Sequence, residues 1–245
     1  MQTNFVVDDE NMGENATSII SSTMPASAIV AILTQRRCLD ITERLDLEKC
    51  GRAPMAGGGF GDVYQGSLCG GEKVAIKCAR LYLRRDDVNG HKLLKRAARE
   101  IYVWSCLEHD NVLKLLGLAQ FRDHLAMISP WMDNGTLLEY LGRHPGIDRH
   151  RLCIDISQGV AYLHQHDTIH GDIKSANVLI SNEGVAKLTD FGCTELKSNT
   201  LCFTTTTNKS NLSMRWAAPE ILTGPVTRSK EADVYALGMV IQLVF

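Results

Sequence analysis

Along Val74-Ala75-Ile76-Lys77, alternation puts Val74 and Ile76 on one face and Ala75 and Lys77 on the other, which is the period of a strand. A strand through Val63 precedes it, joined by a turn at Gly70-Gly71. The period then lengthens. Leu94, Ala98, Ile101 and Ser105 form one stripe of a helix predicted over His91–Leu107. Two apolar runs, Val112–Ala119 and Leu125–Ile128, read as buried strands. Beyond them Leu152, Ile156, Val160 and Leu163 recur at helical spacing up to about His166, and the C-terminal half reads as mainly helical. At the other end, residues 1–24 are acidic and then rich in Ser and Thr, with too few large apolar side chains to offset their ordering entropy. Ala26–Leu47 carries Ile29, Leu33, Ile41 and Leu45, a partial match to a helix that leads into the domain.

Composition narrows the class. A chain of 245 residues with 44% hydrophobic content can build one large domain or two lobes. A formal net charge of −2 offers no attraction for a polyanion, so nucleic acid is not expected as a partner. The eight cysteines contain no C-x-x-C pair, which argues against a zinc site and fits reduced thiols in a cytoplasmic chain. The apolar run Ala28–Leu33 is too short to span a bilayer, and no basic segment precedes it as in a signal peptide.

Candidate chemistry concentrates between Thr168 and Gly192. Asp172 is followed five residues later by Asn177, and then by Asp190-Phe191-Gly192. Two carboxylates and an amide on loops between short apolar runs are what a magnesium-ATP phosphotransfer site requires. One accepts a proton from the attacking hydroxyl and two hold metal on the phosphates. Isolated Asp and Asn residues more often decorate turns, so only the joint pattern carries weight. Upstream, in Ala56–Gly66, Gly58, Gly59 and Gly61 let backbone amides approach phosphate oxygens that side chains would block. Hairpins use glycine as freely. A dinucleotide-binding fold fits poorly, because a strand and not a helix follows these glycines.

Taken together, these motifs resemble those of the protein kinase domain, in its tyrosine-kinase-like group, over roughly residues 50–245. The resemblance implies an α+β, two-lobed fold: a small antiparallel β N-lobe with one helix (50–132) and a mainly helical C-lobe (133–245) that ends early. Residues 1–49 are left as a polar segment with a helix. It implies a Ser/Thr protein kinase using ATP and Mg²⁺ on protein substrates. Asp172 would take the proton of the acceptor hydroxyl and Lys174 would neutralise the transferring phosphoryl group. Asn177 and Asp190 would hold metal. Lys77 would grip the phosphates, fixed by Glu100 of Arg99-Glu100-Ile101. Gly58, Gly59, Gly61, Val63, Ala75, Met132 and Leu179 would join Lys77 around the nucleotide. Ser129 resembles the gatekeeper, which leaves space behind the adenine, and Trp104 lies where the regulatory spine crosses the helix. His170 resembles a structural histidine near Phe191, and Asp233 would hold the catalytic-loop backbone. Ser213, before Met214–Glu220, favours Ser or Thr acceptors.

Three departures accompany the resemblance. Ala56 stands where the family usually has its first glycine. Gly171 replaces the arginine that grips an activation-loop phosphate, so constitutive activity or control from outside the loop is expected, although Thr204–Thr207, Ser210 and Ser213 offer hydroxyls there. The chain stops at Phe245 inside a helix, without the arginine that would pair with Glu220. Ile241, Leu243, Val244 and Phe245 are then expected to form an exposed apolar patch. A truncated piece of a longer kinase, or a catalytically impaired nucleotide-binding or scaffolding module, both fit that ending.

Overall fold

The computed structural model describes residues 18–20, 24, 26–36, 38–58, 61–82, 88–122, 124–196, 201–203, 213–223 and 228–245. Gly59, the hydroxyl cluster Thr204–Thr207 with Ser210, and the acidic start of the chain lie outside them.

A short strand β1 (Ser18–Ile20) precedes helix α1 (Ala26–Gln35). The helix predicted to reach Leu47 ends twelve residues sooner, for local reasons. Cys38 N–H reaches back to Leu33 O at 3.1 Å, a closing bond of the Schellman kind. Asp40 then accepts from both the backbone N–H (3.0 Å) and the hydroxyl (2.6 Å) of Thr42, an Asx turn that starts a single 3₁₀ turn. Ile41 and Leu45 therefore leave the helix and join Cys50 beneath the sheet.

That sheet has the order β2-β3-β4-β6-β5, antiparallel throughout, from β2 (Ala56–Gly58), β3 (Gly61–Ser67), β4 (Lys73–Tyr82), β5 (Gly117–Phe121) and β6 (His124–Pro130). The predicted alternation is realised. Val74, Ile76 and Cys78 face the layer made by Ile41, Leu45 and Cys50, together with Ala126 and Ile128 of the neighbouring strand. On the opposite face Lys77 stands across from Val63 on one side and Met127 on the other, and Ala75 stands across from Ser129. Helix α2 (Val88–Ser105) follows β4. The run from Val112 was expected to be a strand, but pairing with β6 starts only at Gly117. Val112 instead bridges Leu188, and Leu113 N–H donates to Leu188 O at 2.8 Å. The apolarity of this run serves packing between elements, not a ladder.

The remainder is helical apart from short hairpins. Helix α3 (Leu137–Arg143) starts on a capping box between Thr136 and Glu139. Helix α4 (Arg149–Gln165) starts on Asp148, whose carboxylate accepts from the N–H groups of His150 and Arg151. Strand β7 (Thr168–Ile169) leads into the loop with Asp172, and β8 (Val178–Ile180) pairs antiparallel with β9 (Ala186–Leu188) just before Asp190. Strand β10 (Glu195–Leu196) returns onto β7, and β11 (Leu201–Phe203) pairs with β1. Helices α5 (Pro219–Thr223) and α6 (Lys230–Val244) complete the described chain. The expected apolar patch at the end of α6 is only partly present. Val240 and Val244 are fully buried with α4 residues in the main core, while Phe245 is 64% exposed beside the His150 ring.

Candidate active site

The site is assembled where the sheet, α2 and the β8–β9 hairpin converge. Lys77 Nζ lies 2.6 Å from Glu100 Oε1 and 2.8 Å from Asp190 Oδ1. The side chains are 16%, 4% and 18% exposed, so all three charges are largely withdrawn from water. Burial opposes a charged Lys77, yet Glu100 and Asp190 outweigh it and hold the ammonium above its ordinary range. Burial alone would raise the Asp190 carboxyl, but Lys77 prevails and holds it below the usual carboxylate range. For Glu100 burial wins, and its carboxyl is pushed upward against the pull of Lys77.

Asp190 adopts a left-handed backbone, φ +68° and ψ +71°, a conformation that Asp tolerates better than most residues. It turns the chain sharply so that the next residue, Phe191, points into the core. The Phe191 ring meets Trp104 of α2 (5.8 Å between centroids) and His170 (5.4 Å, tilted, not face to face). Trp104 donates its indole N–H to Leu113 O. A shift of α2 would thus disturb both its carboxylate and its aromatic contact with the Asp190 turn.

A second constellation surrounds Asp172. Its Oδ2 accepts from Lys174 Nζ at 2.6 Å and Asn177 Nδ2 at 3.1 Å, and its Oδ1 accepts from Ser213 Oγ at 3.0 Å. Lys174 Nζ also reaches Ser213 Oγ at 3.2 Å. Asn177 Nδ2 additionally donates to Asp172 O at 2.8 Å, which turns the amide oxygen away from Asp172. Thr189 N–H donates to Asn177 O at 3.0 Å, tying the loop with Asn177 to the strand end that carries Asp190. Hard oxygen donors from these two residues suit a small divalent cation, although no metal-binding cluster of three or more His, Cys, Asp or Glu side chains occurs among the described residues.

The loop is held from below by α6. Asp233, 2% exposed, accepts from His170 N (2.8 Å), Gly171 N (2.9 Å) and His164 Nε2 (3.0 Å). Val63, Ala75, Met132 and Leu179, the residues expected around a nucleotide, are half-buried, and Leu179 forms an isolated antiparallel bridge with Thr136. Gly58 and Gly61 pair across the tip of the β2–β3 hairpin, with Gly61 at φ +143°.

Three supporting residues escape motif reading. Arg228, just before α6, occupies the space beside Gly171. A Cβ built on that glycine would lie 2.6 Å from Arg228 Cδ and 3.1 Å from Cys193 O. Asp155 is buried on α4 and accepts from Ala186 N–H at 3.1 Å, and Asn111 donates to Ala186 O at 3.1 Å. Asp155 lies among the apolar positions Leu152, Ile156 and Gly159, and an acid inside such a stripe is the one signal that marks it. Gly171 also has φ +73°, so Gly171→Ala combines a left-handed penalty of about 1–2 kcal/mol with displacement of Arg228. Calorimetry is expected to show a Tm lowered by about 2–8 °C; an unchanged Tm would mean the loop relaxes freely.

The fold is a two-lobed α+β architecture, an antiparallel sheet with one helix above a mainly helical lobe. The protein kinase domain family matches residues 53–245, and the chain belongs to that family. The serine/threonine-protein kinase STY46 of Arabidopsis thaliana is 32% identical over 191 residues, covering 76% of this chain and 31% of that protein. The serine/threonine-protein kinase STY17 of the same plant is 29% identical over 203 residues, covering 81% and 33%. The probable serine/threonine-protein kinase DDB_G0275165 of Dictyostelium discoideum is 33% identical over 198 residues, covering 76% and 20%. The chain thus spans a third or less of the length of these relatives.

Proposed function

We propose that this protein is a tyrosine-kinase-like-group enzyme that transfers the γ-phosphoryl group of ATP to Ser or Thr hydroxyls of protein substrates. The observation that carries the reading is the triangle of Asp172, Lys174 and Ser213, in which the carboxylate is held at both oxygens beside an ammonium. Asp172 orients the acceptor hydroxyl and takes its proton as the new P–O bond forms. Lys174 stabilises the negative charge on the phosphoryl group in transit. Lys77, fixed by Glu100, grips the nucleotide phosphates and exchanges its contact with Asp190 for them. Asn177 and Asp190 would hold Mg²⁺, which supplies charge neutralisation on the β- and γ-phosphates. Gly58, Gly59 and Gly61 cover the phosphates, while Val63 and Ala75 roof the adenine, Leu179 floors it and Met132 contacts its edge. Free thiols support a cytoplasmic setting, and no described helix is long and apolar enough to cross a membrane.

The test is incorporation of labelled phosphate from ATP into a generic basic protein rich in Ser and Thr. Labelling is expected on Ser and Thr but not Tyr, and is expected to vanish in Asp190→Asn while the fold persists. Soluble, folded wild-type protein that transfers no phosphate would overturn the reading.

A further inference from the structure

Helix α1 and the segment after it precede the region matched by the kinase family, yet they are built into the body of the molecule. Ile29 and Leu33 lie one turn apart on α1, are fully buried, and share a core with Leu94, Ala97, Ala98 and Ile101 of α2. Burial on α2 is nearly continuous: Ala97, Ala98 and every residue from Glu100 to Trp104 are buried. Such a run covers more of the helix circumference than one amphipathic stripe, so α2 needs partners on more than one side. The Phe191–Cys193 turn is one partner and α1 is another.

The end of α1 is also fastened. Cys38, just past α1, is buried in the core that α1 and α2 share. Leu118 N–H donates to Leu39 O at 2.8 Å and Ile41 N–H to Leu118 O at 2.9 Å, which seats the segment along the free edge of β5. A side chain at Gly117 would collide with Leu39 O, so this edge is shaped for close approach. The segment after α1 is therefore anchored to the sheet edge independently of α2.

We propose that α1 and its following segment form a brace that keeps α2 against the sheet, and that Ile29 and Leu33 are positioning residues for the Lys77–Glu100 pair. For its consequence in turnover this inference rests on the phosphotransfer reading above. Its structural half does not. Losing the brace frees α2 to move outward, Glu100 leaves Lys77, and the lysine no longer grips phosphate in a fixed place.

The test uses the full chain with Ile29→Ala/Leu33→Ala, the conservative Ile29→Val/Leu33→Met, Glu100→Gln, and the triple variant. The Ala pair is expected to lower kcat/KM for ATP by about tenfold and to speed amide exchange across residues 94–105, with exchange in β8 and β9 unchanged. The conservative pair is expected to behave as wild type. Adding the Ala pair to Glu100→Gln is expected to cost less than about twofold more, because both act through one contact. Multiplicative losses, or unchanged exchange in α2, would overturn the brace. If the wild type transfers no phosphate, the activity proposal fails. The brace is then judged by α2 exchange and by whether the Ala pair weakens nucleotide-induced thermal stabilisation only when Glu100 is present. Should the Ala pair fail to fold, Leu33→Ala alone is held to the same criteria.

Discussion

Replacing Asp172 by Asn is expected to lower kcat by about 10²–10⁴-fold, the range for removal of a general base. In barrier terms that is about 3–5 kcal/mol. The shape of the side chain is kept, and its oxygen can still accept from Ser213 Oγ. What is lost is basicity, together with the charge that holds Lys174 at 2.6 Å. The proposed nucleotide contacts lie elsewhere, on Lys77 (held by Glu100) and the sheet, so nucleotide-dependent thermal stabilisation is expected to stay at the wild-type level. Phosphate transfer and thermal shift measured on the same preparation decide the matter. Equal loss of both signals would mean that Asp172 holds the fold and not the reaction.

The residues of the candidate site were legible in the chain because they occupy fixed positions around short apolar strands. Alternation put Ala75 and Lys77 on one face of β4, and the resemblance of Arg99-Glu100-Ile101 to the kinase motif pointed to Glu100, which lies 2.6 Å from Lys77. Spacing marked Asp172 and Asn177, and the kinase resemblance added Ser213; the three meet in one hydrogen-bonded cluster. Features decided by long-range packing were not readable. Ile41 and Leu45 fit a helical period in sequence, but Asp40 turns the chain and the sheet offers them a better burial site. Val112 looks like a strand because it is apolar, and its apolarity comes from contact with β9. Arg228 beside Gly171 had no sequence signal, since the two residues are distant in the chain and neither belongs to a periodic pattern.

Gly171 and Arg228 also bear on regulation. The glycine stands where the resemblance expects an arginine that grips an activation-loop phosphate, and the structure packs Arg228, just before α6, against it. A positive group therefore lies next to the loop that carries Asp172, delivered from another part of the chain. The stem of Arg228 packs against the glycine, so restoring a side chain at 171 requires this arginine to leave first.

The same loop depends on one buried carboxylate. Asp233 satisfies two backbone N–H groups and one imidazole N–H, and a carboxylate is suited to this because both of its oxygens only accept. In Asp233→Asn one oxygen becomes an NH₂ group facing a donor, so at least one buried N–H loses its partner while the charge disappears. Breaking a buried, charge-assisted network of this kind costs about 3–5 kcal/mol, and for a domain of this size Tm is expected to fall by about 10 °C or more. Catalysis suffers separately. His170 and Gly171 immediately precede Asp172, and a displacement of about 1 Å at a reacting group costs on the order of 10²-fold in rate. Scanning calorimetry, with transfer rates measured well below the lowered Tm, separates this variant from Asp172→Asn. The loss at position 233 should appear in both stability and kcat, whereas the loss at position 172 should appear in kcat alone. An Asp233→Asn protein of wild-type Tm would show that α6 does not hold the catalytic loop in place.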